Sequence, residues 1–184
     1  MNYQSIPHRL LFMAIASDPM RRRIKAEAYK WGGSALSAPA NPHHMTLAVL
    51  DDLTSVPAGL LERLSGSGAA VEAEPFRIVL DRIVGTYSSV ALRPSFPSTG
   101  LRMLRKAIVG TMRERGIRQR NHYSFSPHVT LFYCDGQPFS RSIDGFDWLV
   151  DEFVLIDSRV GRSRYEVLGR WKLRGPTDTQ YQLL

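Results

Sequence analysis

Short apolar stretches separated by turn residues recur along the chain and predict seven strands and three helices. The predicted strands cover residues 8–16, 44–50, 76–84, 87–93, 126–134, 152–160 and 164–173. The predicted helices cover residues 19–31, 57–64 and 98–115, and the Ser-Gly-Ser-Gly run at 65–68 predicts a loop. This order of elements indicates an α+β protein built from two similar halves.

The predicted helix at 98–115 has the clearest pattern. Leu101, Leu104, Ile108 and Met112 recur at the spacing that places side chains on one helix face. Gly116 follows them, as expected of a residue that ends a helix. This face is therefore expected to lie in the core.

The composition indicates one globular domain over residues 1–184, in which 43% of the residues are hydrophobic. The net charge is +7, and 20 of the 24 basic residues are arginine, so an anionic partner such as RNA or a nucleotide is favoured over a membrane surface. Cys134 is the one cysteine, which excludes an internal disulfide and favours the cytosol. No apolar run approaches the ~18 residues that span a bilayer. A monomer is the simplest expectation.

Two tetrapeptides of the same form lie near the start of two predicted strands. They are His-Met-Thr-Leu at 44–47 and His-Val-Thr-Leu at 128–131. Because side chains alternate between the two faces of a strand, each His shares a face with its Thr, and the apolar residues between them face the other way. Both His-Thr pairs are therefore expected to point away from the core, into whatever lies opposite.

The same alternation assigns the neighbouring residues. Val49 is expected on the apolar face of its strand, and His43 on that face or in the preceding loop. Phe132 is expected on the face of His128, where it is a candidate for stacking on a nucleobase. Tyr133 is expected on the apolar face, in the core.

Two histidines, each beside a threonine, suit acid–base chemistry on a phosphate. Imidazole titrates near pH 6.5, so one ring can be neutral and accept a proton while the other is protonated and donates one. Threonine hydroxyls can donate hydrogen bonds to phosphoryl oxygens. Cleavage of a phosphodiester, particularly a strained cyclic one, needs such a set and no metal, provided that the two strands are neighbours.

The paired motifs resemble those of the two-histidine (2H) phosphoesterase superfamily, especially its branch of 2′-5′ RNA ligase-like RNA 2′,3′-cyclic phosphodiesterases. The opening RLLFMAI, the SPHVTL at 126–131 and the ending SRVGRSRYEVLGRWKL extend the resemblance over nearly the whole chain. It implies a bilobal α+β fold, in which two pseudo-symmetric lobes of antiparallel sheet, with helices outside, flank a central cleft. It also implies metal-independent hydrolysis of a 2′,3′-cyclic phosphate to a 2′-phosphomonoester, without a cofactor, and weak 2′-5′ ligation.

Carried onto this chain, the resemblance makes His44 and His128 the acid–base pair and Thr46 and Thr130 the ligands of the phosphate. We assign His128 as the base and His44 as the acid, although the residues themselves leave that order open. Candidate phosphate contacts near the C-terminal end are Arg162 and Arg164.

Two features depart from the family pattern. Many members carry an apolar residue where this chain has His43, and many carry a basic residue shortly after the second motif, where it has Phe132-Tyr133-Cys134. A basic segment at 102–120 is equally compatible with a surface that draws in RNA and with a solvated helix face. Two other functions stay open: a nucleotide- or RNA-binding module without turnover, and a metallohydrolase, which no ligand spacing supports.

Overall fold

The computed structural model describes residues 7–34, 43–159 and 165–174. Within these ranges the elements follow in this order: β1 (His8–Ile15), α1 (Asp18–Lys30), β2 (His44–Val49), α2 (Leu60–Ala69), β3 (Phe76–Gly85), β4 (Ser89–Arg93), α3 (Thr99–Glu114), β5 (Val129–Tyr133), β6 (Phe139–Val150), β7 (Glu152–Arg159) and β8 (Tyr165–Lys172).

The strands form two separate antiparallel sheets of four strands each. The first sheet has the order β2-β1-β7-β8 and the second has the order β5-β4-β3-β6. The strands that carry the histidine motifs, β2 and β5, lie at corresponding ends of their sheets and contact each other. The predicted two-lobe α+β architecture is confirmed.

The helices cover one face of each sheet and connect the two lobes. α1 follows a strand of the first sheet and contacts β5 of the second, whereas α3 follows a strand of the second sheet and contacts β2 of the first. The predicted apolar face of α3 is buried, and Gly116 follows the helix with a φ of 68°. No helix in the described ranges is both long and apolar enough to cross a bilayer.

The predicted loop at 65–68 is wrong, because these residues lie inside α2. The side chain of Ser67 donates to the backbone oxygen of Arg63 at 2.9 Å and reaches that of Thr111 in α3 at 3.4 Å. A Cβ on Gly68 would come within 2.6 Å of the ring of Trp171. The small residues therefore allow α2 to pack closely on α3 and β8 instead of breaking the helix.

The sequence pattern also missed β6, the longest strand of the second sheet, which pairs with β3. Its first half reads FSRSIDG, in which most positions are polar, so it shows no apolar alternation. Gly145 lies where a Cβ would come within 2.5 Å of Val79 Cγ1. A strand at the edge of an antiparallel sheet can be half solvated, and this one is recognised by its pairing rather than by its composition.

Candidate active site

β2 begins at the first motif, and the polar side chains of the motif point away from the core. His44 pairs with Ile15 and Thr46 pairs with Met13 of β1. Both polar side chains are partly exposed, whereas Met45 is 1% exposed. We call the face of each sheet that carries a His-Thr pair its motif face, and the other its core face.

The second motif repeats this arrangement in the other lobe. His128 directly precedes β5, and Thr130 pairs with Ala91 of β4. His128 and Thr130 are partly exposed, whereas Val129 and Leu131 are fully buried. The alternation expected from the sequence therefore holds in both strands from the histidine to the threonine.

Beyond the threonine, both strands contain the same irregularity. In β2, Thr46 pairs with Met13, but Ala48 pairs with the next residue, Phe12, so Leu47 is an extra residue in the pairing. Such a bulge shifts the alternation by one position, so that the residues after it change faces. Accordingly Val49, predicted on the core face, instead packs with the apolar residues of the motif face.

In β5 the extra residue is Leu131, and the bulge overturns two predictions. Phe132 is only 3% exposed and lies in the main core, where a Cβ on Gly33 would approach its ring to 2.7 Å, so it cannot stack on a nucleobase. Tyr133, predicted in the core, is 58% exposed. The sequence could not show this, because the bulge is a property of the pairing with β4.

The ring of His128 is held in one orientation. Its Nδ1 lies 2.7 Å from the backbone oxygen of Ser126. A carbonyl oxygen only accepts hydrogen bonds, so Nδ1 carries the hydrogen of this contact. In the neutral ring, Nε2 is then the unprotonated nitrogen, which is the form that a general base requires.

His43, next to the first motif, lies in a different environment from His44. Burial and then the positive charges of His44, Arg21 and Lys25 lower the pKa of His43 to about 4. Its Nε2 is buried and has no hydrogen-bond partner among the described residues. His43 is therefore neutral at neutral pH, which is consistent with the expected placement away from the motif face.

The motif face of the first sheet is apolar beside the His-Thr pair. Leu11, Met13, Val49, Val154 and Ile156 form a buried cluster there, and Ile15 and Tyr123 pack against it. Burial raises the pKa of the Tyr123 hydroxyl. The segment between α3 and β5 thus contributes an aromatic ring to this side of the site, which the sequence pattern did not indicate.

The basic segment at 102–120 serves more than one purpose. Arg120 donates its backbone N–H to Val49 at 2.8 Å and pairs with Asp51 and Asp52. Arg105 lies over the ring of Phe125, with its guanidinium carbon 4.9 Å from the ring centroid. Four further side chains of the segment are exposed, namely those of Arg102, Lys106, Arg113 and Arg118.

The remaining candidates lie elsewhere. Arg162 and Arg164 are outside the described residues. The side chain of Cys134 is partly buried against the core. In the described part of the chain, no three His, Cys, Asp or Glu side chains are grouped as metal ligands.

A cavity of about 710 Å³ lies along the outer side of α3 and contains no motif residue in its lining.

Comparison with known proteins agrees with this fold. A family model described as the 2′-5′ RNA ligase superfamily matches residues 17–162. E. coli LigT complexed with 3′-AMP is 25% identical with a TM-score of 0.71, over 91% of this chain and 98% of LigT. LigT complexed with NADP+ is 26% identical with a TM-score of 0.69, over 92% and 99%. A phosphoesterase is 25% identical with a TM-score of 0.68, over 91% and 98%. No curated protein shows a significant match.

Proposed function

Because the chain belongs to the 2′-5′ RNA ligase superfamily, we propose that it hydrolyses a 2′,3′-cyclic phosphate, at an RNA end or on a small nucleotide, to a 2′-phosphomonoester. The observation that carries this proposal is the pair of His-Thr sets on the motif faces of two sheets whose end strands touch. Each lobe supplies one imidazole and one hydroxyl. The E. coli LigT complex with 3′-AMP, a phosphorylated nucleoside, supports a substrate of the same chemical class.

The proposed reaction is an in-line displacement at phosphorus. Nε2 of His128 takes a proton from a water molecule, whose oxygen attacks the phosphorus on the side opposite the 3′ oxygen. The bond between phosphorus and the 3′ oxygen breaks, and protonated His44 donates a proton to that oxygen. The product is a 2′-phosphomonoester with a free 3′ hydroxyl.

The two threonines bind the phosphoryl group in this scheme. The hydroxyls of Thr46 and Thr130 donate hydrogen bonds to its non-bridging oxygens, whose negative charge grows in the transition state. The hydrogen bond of His128 to the Ser126 carbonyl supports its assignment as the base, since it leaves Nε2 free to accept. His43, with a pKa of about 4, remains neutral and does not compete with the pair for protons.

The same scheme accounts for a ligase activity. If the 5′ hydroxyl of a second RNA end takes the place of water, the displacement joins the two ends through a 2′-5′ phosphodiester and releases the 3′ hydroxyl. Water is far more abundant than RNA ends, so hydrolysis is expected to dominate and ligation to be weak.

Turnover of a nucleoside 2′,3′-cyclic phosphate in the presence of EDTA tests the proposal. His44→Asn and His128→Asn each remove a ring that transfers a proton. Each variant is expected to lower kcat by about 10²- to 10⁴-fold. Asn at position 128 can still donate to the Ser126 carbonyl, so it tests proton transfer rather than positioning. Chromatography that separates 2′- from 3′-monophosphate measures the rate and identifies the product.

The matched control is His122→Asn, because His122 is exposed and has a φ of 57°, a backbone conformation that Asn tolerates. This variant should keep the wild-type rate. Loss of wild-type turnover in EDTA would favour a metallohydrolase. Binding of the nucleotide without turnover would favour the non-catalytic nucleotide- or RNA-binding module, and unchanged rates in the His44 and His128 variants would contradict the acid–base assignment.

A further inference from the structure

The motif face of the second sheet carries several polar side chains, in contrast to the apolar motif face of the first. The pairing aligns Thr130 with Ala91, and Ala91 in turn with Val84 and Ser140. The neighbouring row contains Arg93, Arg82 and Ser142, which lie opposite one another on β4, β3 and β6. Pairs in an antiparallel sheet share a face, so Arg82 and Arg93 lie on the face of Thr130.

The row formed by Arg93, Arg82 and Ser142 leads across the sheet to the second histidine. Val129 pairs with Leu92, so one further step in the same register sets His128 beside Arg93. Adjacent strands are about 4.8 Å apart, which places the backbone of Arg93 about 5 Å and that of Arg82 about 10 Å from the His128 segment. Arg93 therefore lies next to the segment that carries His128, whereas the guanidinium of Arg82 lies against Ser140 of β6, on the side of β3 away from β5.

The guanidinium of Arg82 interacts electrostatically with the neighbouring carboxylate of Asp81, whereas Arg93 has no acidic partner in the described ranges. Arg82 donates to the hydroxyl of Ser140 at 3.0 Å, and neither guanidinium forms an ion pair there. Elsewhere on the same sheet Arg77 pairs with Asp147 at 2.7 Å. Two like charges directly opposite each other on adjacent strands destabilise a sheet. A bound anion would remove this cost, and the planar guanidinium fork suits phosphate oxygens.

Among the described residues, the motif face of the first sheet offers no equivalent surface beside its His-Thr pair, because the apolar cluster and Tyr123 lie there. We therefore expect a second negatively charged group of the substrate to lie over the second sheet. The asymmetry of the two faces gives the substrate an orientation across the site.

We propose that Arg93 and Arg82 bind a second phosphate of the substrate, the one on the 5′ side of the nucleoside whose cyclic phosphate is opened. This inference rests on the proposed function and narrows the substrate. It favours an RNA end, or a nucleotide that also bears a 5′-phosphate, over a nucleoside that carries only the cyclic phosphate. Arg93 and Arg82 are substrate-binding residues in this proposal, since they contact the substrate away from the bonds that change.

The kinetic test compares a nucleoside 2′,3′-cyclic phosphate with the same compound bearing a 5′-phosphate, at constant ionic strength. The wild-type protein is expected to show a kcat/KM about tenfold higher for the 5′-phosphorylated compound, as expected of hydrogen bonds to a charged group. Arg93→Gln and Arg82→Gln should each lower this ratio towards one. Arg77→Gln, which removes a paired arginine of the same sheet, should keep the wild-type ratio.

Equilibrium binding makes the inference testable without turnover. Calorimetry with adenosine 2′-monophosphate and adenosine 2′,5′-bisphosphate should give about tenfold tighter binding of the bisphosphate. That difference should be lost in Arg93→Gln and Arg82→Gln and kept in Arg77→Gln. If the wild-type protein binds both but hydrolyses neither cyclic compound, the proposed function fails while this site stands. Equal affinities in the wild-type protein, or a difference that survives both substitutions, would overturn the proposal.

Discussion

Acidification is expected to destabilise the protein through His43. Burial and neighbouring positive charge lower the pKa of His43 to about 4 in the folded state, whereas the unfolded chain has the ordinary value of 6.5. Well above pH 6.5 the ring is neutral in both states and contributes no pH dependence. As the pH falls from 6.5 towards 4, the unfolded state gains a proton that the folded state does not bind, so the free energy of unfolding falls.

The size of the effect follows from the two pKa values. Their difference sets an upper limit of about 3 to 4 kcal/mol, at ~1.4 kcal/mol for each tenfold change in proton affinity. The ring of His43 is only partly buried, so solvent screens part of this energy. We therefore expect about 1 to 2 kcal/mol from this residue at about pH 4.5.

Urea unfolding of the wild-type protein and His43→Asn, at about pH 7.5 and about pH 4.5, measures the contribution of His43 to the free energy of unfolding. Asn does not titrate, so the variant should lose about 1 to 2 kcal/mol less than the wild-type protein on acidification. Comparing the two losses cancels the contribution of the carboxylates. His122→Asn, at an exposed histidine, should behave as the wild-type protein does. Equal losses in the wild-type protein and His43→Asn would refute the argument.

Two further predictions concern packing and catalysis. Gly68→Ala should lower the free energy of unfolding by about 1 kcal/mol, because the added Cβ lies 2.6 Å from the Trp171 ring and overpacking outweighs the helix propensity of Ala. Gly110→Ala, whose Cβ meets nothing within 4 Å, should instead raise it by about 0.5–1 kcal/mol in the same urea titration. A rise for Gly68→Ala or a fall for Gly110→Ala would contradict this comparison. The kcat/KM for a cyclic phosphate should rise and fall around neutral pH, since one of His44 and His128 must be neutral and the other protonated. A flat profile with rate-limiting chemistry would argue against the pair.

Local pattern determined much of the element list because it depends on neighbours in the sequence. The apolar face of α3 could be predicted from the sequence, because its apolar side chains repeat every three or four residues and all enter one core. The strand at 44–49 could also be predicted, because a short apolar run is a local pattern. In contrast, the Gly and Ser residues of α2 serve contacts with α3 and Trp171, which lie far along the chain. Composition alone assigned them to a loop.

The sequence by itself determined which side chains share a face from each histidine to its threonine, and it predicted a reaction that two such sets suit. The tertiary structure decided what surrounds them. The bulges at Leu47 and Leu131 arise from pairing with β1 and β4, and they buried Phe132 and exposed Tyr133. Pairing between strands also set Arg93 opposite Arg82, beside the second motif. Alternation along one strand is a local property, whereas register is fixed only when two strands, distant in sequence, form their hydrogen bonds.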